Sequence, residues 1–299
     1  MKKVKKRKKS PVKALLSALV VLSLLLVVGF FAVGGRLVVC DKGAFLKLTM
    51  PQSSLRSGEL VLVNSSFAYD FDRGDRVVFV KAKKNSSYQL RNGNEQLKRV
   101  AIKSFNRLFK QFERETGVNN IAINSAFRSF AQQSILFESR VANYGYEAAL
   151  TMASKAGYSE HHTGLAADLV LLDSDGEVSA LSELGDYSRF VALAAEQGFV
   201  VRYSDSKQHI TGITNEPWHF RYVGRPTAMA MYNSDLCLEE YLSLVRDFSF
   251  DGEWYQIEAG RDSYAAYYCV GRELYLPLFK LFSFSGNNVD GFVVTVRER

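Results

Sequence analysis

One segment of this 299-residue chain carries most of its information: Ser159-Glu160-His161-His162-Thr163-Gly164-Leu165-Ala166-Ala167-Asp168. A second segment, Glu216-Pro217-Trp218-His219, follows it later in the chain. Together the two hold three of the four histidines in the sequence. Histidine and carboxylate side chains are common zinc ligands, so both segments are compatible with a metal site. A lone histidine is more often structural, so the geometry of each segment decides between the two interpretations.

The first segment cannot bind one ion as a continuous helix. His161 and Asp168 are seven residues apart, which is about 10.5 Å along a helix axis and too far for a shared ligand. Gly164 indicates a turn between them, and the residues after it predict a strand from about 165 to 172. Asp168 then projects from that strand, and the loop with His161 folds back over it. A carboxylate on an otherwise apolar strand requires a partner.

The second segment begins in an extended conformation, because Pro217 disfavours helix at Glu216. His219 then leads into a strand predicted over 218–223. Catalytic zinc sites use three protein ligands and keep one position for water. His161, Asp168 and His219 supply such a set, and Glu216 is placed to act as general base on the water.

Two histidines are set apart from this ligand set. His162 is the rival of His161, since adjacent side chains point to different sides. His209 follows the polar residues Lys207 and Gln208 and is predicted to be a solvent-exposed loop residue.

Both segments resemble the motifs of the VanY-type D-alanyl-D-alanine carboxypeptidases, S-x-H-x-x-G-x-A-x-D and E-P-W-H. Every fixed position matches, and the match favours His161 over His162 as the ligand. A third family motif, G-Y-R-S followed by a glutamine, resembles Ala126-Phe127-Arg128-Ser129 with Gln133. Ala126 and Phe127 depart from it, and the second change removes a hydroxyl. The segment 198–203 also resembles the family strand before the last motif, so the resemblance covers roughly residues 95–224.

The resemblance implies an α+β fold in which a small antiparallel sheet with flanking helices carries a Zn²⁺ site. It implies hydrolysis of the C-terminal D-alanine of peptidoglycan stem peptides. Arg128 would polarise the scissile carbonyl or hold substrate charge, since a guanidinium suits an oxyanion or a carboxylate. Ser159 and Gln133 would help to bind the C-terminal end of the substrate. The oligomeric state is not indicated.

Other functions compete with this one. Within the same fold, the enzyme could be an L,D-carboxypeptidase or a D,D-dipeptidase, because the metal motif does not separate them. A serine enzyme is rejected, because Ser204-Asp205-Ser206-Lys207 fits Ser-x-x-Lys but no Lys-Thr-Gly partner exists. A non-catalytic wall-binding module with structural zinc is disfavoured by Glu216, since a structural site needs no base.

The positive charge of the chain is concentrated at its N-terminus. Eight of the 38 lysines and arginines lie in residues 1–13, which leaves 30 basic against 31 acidic residues elsewhere. The net charge of +7 therefore does not indicate nucleic-acid binding.

Residues 14–35 carry no charge and are long enough for a transmembrane helix. The sequence predicts a single-pass anchor in the cell membrane, with the basic tail inside and the catalytic part on the extracytoplasmic side. A cleaved signal peptide is the alternative, because Ala32-Val33-Gly34 resembles a cleavage site.

The remaining chain is predicted to contain three parts: a β-rich spacer over 41–94, the zinc carboxypeptidase domain over 95–226, and a small β-rich C-terminal appendage over 227–299. Predicted helices cover 95–116, 147–155, 188–197 and 238–245, and another begins at Ser129 with a capping box to Gln132. Further predicted strands cover 59–64, 76–80, 121–124, 199–203, 253–258, 263–270, 278–283 and 291–296. Cys237 and Cys269 could form a disulfide outside the membrane, which would leave Cys40 unpaired.

Overall fold

The computed structural model describes residues 35–73 and 76–299. The basic tail and all of the predicted anchor except Gly35 lie outside these residues. Within them, no helix is both long enough and apolar enough to cross a membrane.

The described part of the chain forms a mixed α/β fold with seven α-helices. In chain order these are α1 Arg99–Thr116, α2 Phe130–Tyr144, α3 Tyr146–Met152, α4 Tyr187–Glu196, α5 Gln208–Thr211, α6 Arg225–Asn233 and α7 Leu238–Val245. The predicted capping box is confirmed, because Ser129 and Gln132 bond each other's backbone N–H at the start of α2. The helix predicted over 238–245 is found with those bounds.

The strands are short, and most of them pair antiparallel. They are β1 Arg36–Cys40, β2 Gly43–Thr49, β3 Val78–Phe79, β4 Gln89–Leu90, β5 Gln96–Leu97, β6 Ile121–Ser125, β7 Ala166–Leu172, β8 Val178–Ala180, β9 Phe199–Tyr203, β10 Glu216–Tyr222, β11 Tyr255–Ala259, β12 Asp262–Val270, β13 Glu273–Pro277, β14 Phe282–Gly286 and β15 Gly291–Arg297. The central sheet has the order β4-β6-β7-β10-β9, and β8 pairs with β7.

The central sheet is fixed in place by an aromatic core against α1 and α4. The apolar face of α1 buries Phe105, Phe109 and Phe112 completely or almost completely. Phe105 stacks on Phe199 of β9 with ring centroids 3.9 Å apart. Burial of each such ring contributes about 1.5–3 kcal/mol, so this core holds the sheet that carries both histidine motifs.

Two further sheets lie beyond the central one, in the orders β1-β2-β13 and β11-β12-β15-β14. The first joins residues from distant parts of the chain, because β2 pairs with β1 on one side and with β13 on the other. The segment 41–94 therefore shares a sheet with the segment 227–299.

One predicted strand is wrong, and two others form only in part. Residues 59–64 form no strand, although Leu60, Val61, Leu62 and Val63 are buried. Their backbone groups bond side chains and a loop instead of a ladder: the Leu60 N–H donates to Ser285 Oγ, and the Leu62 N–H donates to the Asn287 carbonyl. Of the strand predicted over 278–283, only residues 282 and 283 belong to a strand, β14, because the chain turns before them and Phe279 has a φ of 66°. Of the strand predicted over 76–80, only β3 forms.

All three cysteine thiols are free. Cys237 and Cys269 are both buried, but they lie in different parts of the core, and no disulfide joins them. Packing rather than a covalent bond holds the C-terminal sheet to the rest of the molecule.

Candidate metal centre

The strand register of the central sheet places the side chains of Ser125, Asp168 and His219 next to one another. Asp168 on β7 lies directly opposite His219 on β10 and, on its other edge, opposite Ser125 on β6. Directly opposite residues of antiparallel strands project from the same face. The sheet therefore brings a carboxylate and an imidazole together although 51 residues separate them in sequence.

His161 reaches the same place through a short 3₁₀ turn over Glu160–Thr163. Ser159 caps this turn, because its hydroxyl accepts a hydrogen bond from the His161 N–H at 3.4 Å. Gly164 ends it with a left-handed φ of 65°, which suits glycine. The turn predicted at Gly164 is thereby confirmed, and it folds His161 back over Asp168.

The three predicted ligands converge. His161, Asp168 and His219 each offer one ligand atom, and these atoms lie within 4.8 Å of one another. Each of the three residues is at most 9% exposed. His161 Nδ1 donates to the Ala126 carbonyl at 2.5 Å, so its Nε2 lone pair faces Asp168 Oδ2 at 3.3 Å. Two imidazoles and one carboxylate are a donor set that fits catalytic zinc.

His162 is excluded as a ligand, because both of its ring nitrogens are occupied. Its Nε2 accepts from the Gly157 N–H at 3.0 Å, and its Nδ1 donates to the Arg128 carbonyl at 2.7 Å. Of the two adjacent histidines, His161 is therefore the one with a ring nitrogen directed at Asp168, in agreement with the motif match. His209 is exposed, in α5 rather than in the predicted loop.

Glu216 lies at the start of β10 and borders the metal centre. Its Oε2 is 3.7 Å from His219 Nδ1. A bulge between Glu216 and Phe220 interrupts the pairing with β9, and such bulges re-aim side chains. Burial raises the pKa of Glu216 to about 7, against the opposing effect of His219. A carboxylate with this pKa can both take up and release a proton near neutral pH.

Arg128 borders the centre from the opposite side and is held at three points. Its Nε donates to Ser125 Oγ at 3.0 Å, one Nη to Gln133 Oε1 at 2.8 Å, and the other to Asp168 Oδ2 at 2.9 Å. The same Nη is 2.6 Å from His161 Nε2. This fixed guanidinium is preorganised for an anionic or carbonyl oxygen.

Gln133 lies behind Arg128. Its side chain is 1% exposed, and its Nε2 donates to the Ser154 carbonyl at 2.6 Å. Since its other end accepts from Arg128, both ends of the amide already have protein partners. Gln133 thus supports Arg128, and it also lines the cavity that opens onto the metal centre, so its predicted contact with the substrate stays a prediction.

The electrostatics of the three ligands are unequal. Burial lowers the pKa of His161 to about 4, and Arg128 adds to this effect. Burial also acts to lower the pKa of His219, but the carboxylates of Asp168 and Glu160 beside its ring outweigh it and raise the value to about 9. Burial alone would raise the pKa of Asp168, yet the two histidines hold it well below its usual range. The centre therefore favours a cation beside Asp168.

A cavity of about 390 Å³ opens onto the metal centre. Glu216, Arg128 and Ser159 face it together with the three ligands. Its lining also includes Leu136, Arg140, Met152, Tyr203, Ile213 and Trp218. The cavity therefore presents a base, a guanidinium and metal ligands to a molecule of peptide size.

A buried ion-pair cluster next to the metal centre was not predicted. Glu160 lies inside the first motif at a variable position, and it forms ion pairs with Arg202 and Arg221. All three side chains are 0% exposed. The signal was present in the sequence, because Arg202 and Arg221 each interrupt an apolar strand, and a buried charge requires a partner.

Comparisons with known proteins agree with this geometry. The family model of VanY, D-alanyl-D-alanine carboxypeptidase, matches residues 94–225. A D-alanyl-D-alanine carboxypeptidase of Enterococcus faecium is 29% identical over 258 residues, covering 83% of this chain and 78% of that protein.

Two solved structures are similar as well. A vancomycin-resistance D,D-dipeptidase bound to a D-Ala-D-Ala phosphinate analogue superposes with a TM-score of 0.75 at 28% identity, covering 86% of this chain and all of that one. A mutant vancomycin-resistance D,D-pentapeptidase VanY in complex with Zn(II) has a TM-score of 0.52 at 32% identity, covering 62% of this chain and 98% of that one.

Proposed function

Because this chain belongs to the VanY family of D-alanyl-D-alanine carboxypeptidases, we propose that it hydrolyses the C-terminal D-alanine of peptidoglycan stem peptides with zinc. One observation carries the proposal: His161, Asp168 and His219 converge in a cavity that Glu216 and Arg128 also face. Zinc, when bound, lowers the pKa of its water and polarises the scissile carbonyl.

Glu216 is the acid–base group of this reaction. Its carboxylate takes a proton from the attacking water and passes it to the amine of the departing D-alanine. The burial that raises its pKa to about 7 matches it to both transfers near neutral pH. A structural zinc site would have no use for a buried carboxylate in this position, which argues against a non-catalytic wall-binding module.

Arg128 binds substrate oxygen. Its three hydrogen bonds to Ser125, Gln133 and Asp168 hold the guanidinium still, so little order has to be created when charge develops. The carbonyl of the scissile bond and the C-terminal carboxylate are both suitable acceptors. Ser159 faces the same cavity and supplies a hydroxyl near its floor.

The test uses the full chain and a stem pentapeptide that ends in D-Ala-D-Ala. Released D-alanine is measured with zinc, with a chelator, and after zinc is restored. We expect release that stops with chelator and returns with zinc. A zinc-loaded protein that releases no D-alanine from the pentapeptide would contradict the proposal.

The same assay separates the alternatives within the fold. A tetrapeptide ending in one D-alanine reports L,D-carboxypeptidase activity, and free D-Ala-D-Ala reports D,D-dipeptidase activity. We expect the pentapeptide to have the highest kcat/KM of the three substrates. A higher value for either alternative would assign the chain to that specificity.

We further propose that residues 14–35 anchor the enzyme in the cell membrane with its catalytic part on the extracytoplasmic side. The support is the charge-free apolar run behind a basic segment. The chain should fractionate with membranes, and protease added to spheroplasts should digest the catalytic part. Recovery of the full chain in the soluble cytoplasmic fraction would contradict this arrangement, and release of a mature form from the cells would favour the signal peptide.

A further inference from the structure

The two oxygens of the Glu160 carboxylate face different partners. Oε1 accepts from Arg202 Nε at 2.8 Å and from an Arg221 Nη at 2.7 Å. Oε2 faces His219 Nε2 at 3.5 Å. Both atoms of this second contact are buried, and neither has a hydrogen-bond partner among the described residues. The carboxylate therefore links a pair of buried guanidinium groups to one metal ligand.

The two histidine ligands present opposite nitrogens to the centre. His161 donates through Nδ1 to the Ala126 carbonyl and presents Nε2. His219 has the reverse arrangement, because its Nδ1 lies 2.9 Å from Asp168 Oδ1 while its Nε2 points away toward Glu160. An imidazole can bind a metal through one nitrogen only if the proton resides on the other. His219 thus needs an acceptor at Nε2, and Glu160 is the group located there.

We propose that Glu160 is a positioning residue of the metal centre: its carboxylate holds the Nε2–H of His219 and leaves Nδ1 free for the metal. The inference rests on the proposed function only in that the metal is taken to be zinc. Histidine ligands generally donate their second N–H to a carboxylate or carbonyl, which fixes the tautomer and the ring orientation. For His161 the backbone provides that acceptor, and for His219 a side chain provides it.

Arg202 and Arg221 fix the orientation of the Glu160 carboxylate. Arg221 also donates to the carbonyls of Glu59 and Val61, at 2.8 and 3.0 Å, and Arg202 donates to Glu239 at 2.7 Å. These additional bonds hold both guanidinium groups with donors directed at Oε1. The other oxygen is therefore the one available to His219.

This geometry makes Glu160→Gln a sharp test. The two arginines are donors only, so the carbonyl of the glutamine must face them and its NH₂ must face His219. That NH₂ donates to Nε2 and favours the Nδ1–H tautomer, which cannot bind zinc through Nδ1. We expect zinc affinity, measured by chelator competition on the full chain, to fall about 10- to 100-fold. Long-range ¹⁵N–¹H spectra of the metal-free variant should show no proton on His219 Nε2, whereas the wild type should carry one there.

Glu239→Gln is the matched control. Glu239 is a partly buried carboxylate that also pairs with Arg202, but it lies on α7 and makes no contact with His219. A purely structural role for the buried charges predicts that both variants lower the melting temperature and affect zinc affinity alike. We expect Glu239→Gln to lower the melting temperature and to keep zinc affinity within about twofold.

Several results would overturn the proposal. Wild-type zinc affinity in Glu160→Gln would do so, as would an equal loss of affinity in Glu239→Gln. If Glu160→Gln does not fold, Glu160→Asp keeps the charge but withdraws the carboxylate from Nε2, and unchanged zinc affinity in that variant would be equally decisive. Zinc affinity is measured without substrate, so a wild-type chain that binds zinc and releases no D-alanine would contradict the proposed function and leave this inference intact.

Discussion

Glu216 and His219 are neighbours in the structure, with 3.7 Å between Oε2 and Nδ1, yet their replacement should have different consequences. Glu216→Gln removes the proton acceptor and leaves all three metal ligands in place. We expect kcat to fall about 10²- to 10⁴-fold while zinc stoichiometry stays at one. His219→Ala removes a ligand and should lose both zinc and turnover. Near-normal turnover in Glu216→Gln, measured together with bound zinc, would show that another group is the base.

Arg128→Lys tests whether the guanidinium has a role beyond its charge. A lysine ammonium cannot keep separate bonds to Ser125, Gln133 and Asp168, so it loses the fixed orientation. We expect kcat/KM for the pentapeptide to fall about 10²- to 10³-fold, a loss typical of one transition-state donor. Zinc content and the far-UV circular dichroism spectrum should match the wild type. A kcat/KM close to the wild-type value would mean that any nearby positive charge suffices.

Zinc affinity should rise with pH between about 7 and 9. In the metal-free protein the pKa of His219 is raised to about 9, so its ring is protonated at neutral pH and must lose a proton to bind zinc. Release of one proton makes affinity rise roughly tenfold per pH unit below that pKa. His161 and Asp168 have lowered pKa values and release none in this range.

Below pH 7 the zinc affinity should depend more steeply on pH. The pKa of Glu216 is raised to about 7, so below that pH the Glu216 carboxyl also carries a proton. Calorimetry in buffers of different ionisation enthalpy counts the released protons, and Glu216→Gln should lose only the steeper part. A zinc affinity that is constant from pH 7 to 9 would contradict the assignment of His219.

At the scale of an element, the turn over Glu160–Thr163 depends on Gly164. Its φ is 65°, and a Cβ added there would lie 2.5 Å from Val77 Cγ1. Gly164→Ala should therefore lose about 1–2 kcal/mol of stability to left-handed backbone strain, and more to the clash with Val77. Gly176→Ala is the matched control, because its φ of 83° is similar and no atom lies within 4 Å of the added Cβ.

We expect thermal unfolding to show a larger decrease in melting temperature for Gly164→Ala than for Gly176→Ala. Each kcal/mol corresponds to roughly 2–4 °C in a chain of this size. Replacing Val77 by alanine in the Gly164→Ala background should recover part of the difference. Equal shifts in the two single variants would mean that Val77 moves aside without cost.

Local patterns predicted some elements and not others for a physical reason. The helix α7 has its predicted bounds, and the groups that stabilise it are local, because its buried residues and the Glu240 side chain that accepts from the Cys237 N–H lie within a few residues of one another. Residues 59–64 have the composition of a strand, but their hydrogen-bond partners are Ser285, Asn287 and Arg221, far away in sequence. Periodicity reports burial, and it cannot report which group will satisfy the backbone.

The same distinction applies to the metal centre. His161, Asp168, Glu216 and His219 could be predicted because each occupies a fixed position in a compact motif. The sequence indicates that Arg202 and Arg221 need partners, but it does not indicate that Glu160 is the partner, since the two arginines are 42 and 61 residues away from it and only the fold brings them together.

At the scale of the whole molecule, the C-terminal residues share one core with the rest of the chain. Leu60, Leu62, Val200 and Val223 contact a larger set of buried side chains from the C-terminal part: Ala228, Ala230, Met231, Leu238, Tyr241, Leu242, Val245, Ile257, Ala266, Tyr268 and Val293. The sheet β1-β2-β13 also depends on both parts. The sequence predicts a domain boundary between residues 226 and 227. A shared core raises the question of whether the residues before this boundary can fold without those after it.

A shortened chain that ends at Pro226 tests whether residues 227–299 are needed for folding. The shortened chain would expose the four apolar side chains of that core, deprive β2 of β13, and leave Arg202 without Glu239. A VanY structure matches 62% of this chain, so a shorter form of the fold exists. In this chain, however, these apolar side chains pack against the C-terminal residues. We therefore expect the shortened chain to accumulate in aggregates, and any soluble fraction to unfold without a cooperative transition and to bind zinc more weakly than the full chain. A cooperative thermal transition with unchanged zinc affinity would show instead that residues 227–299 are dispensable for the metal centre, and that the predicted boundary separates two independently folding units.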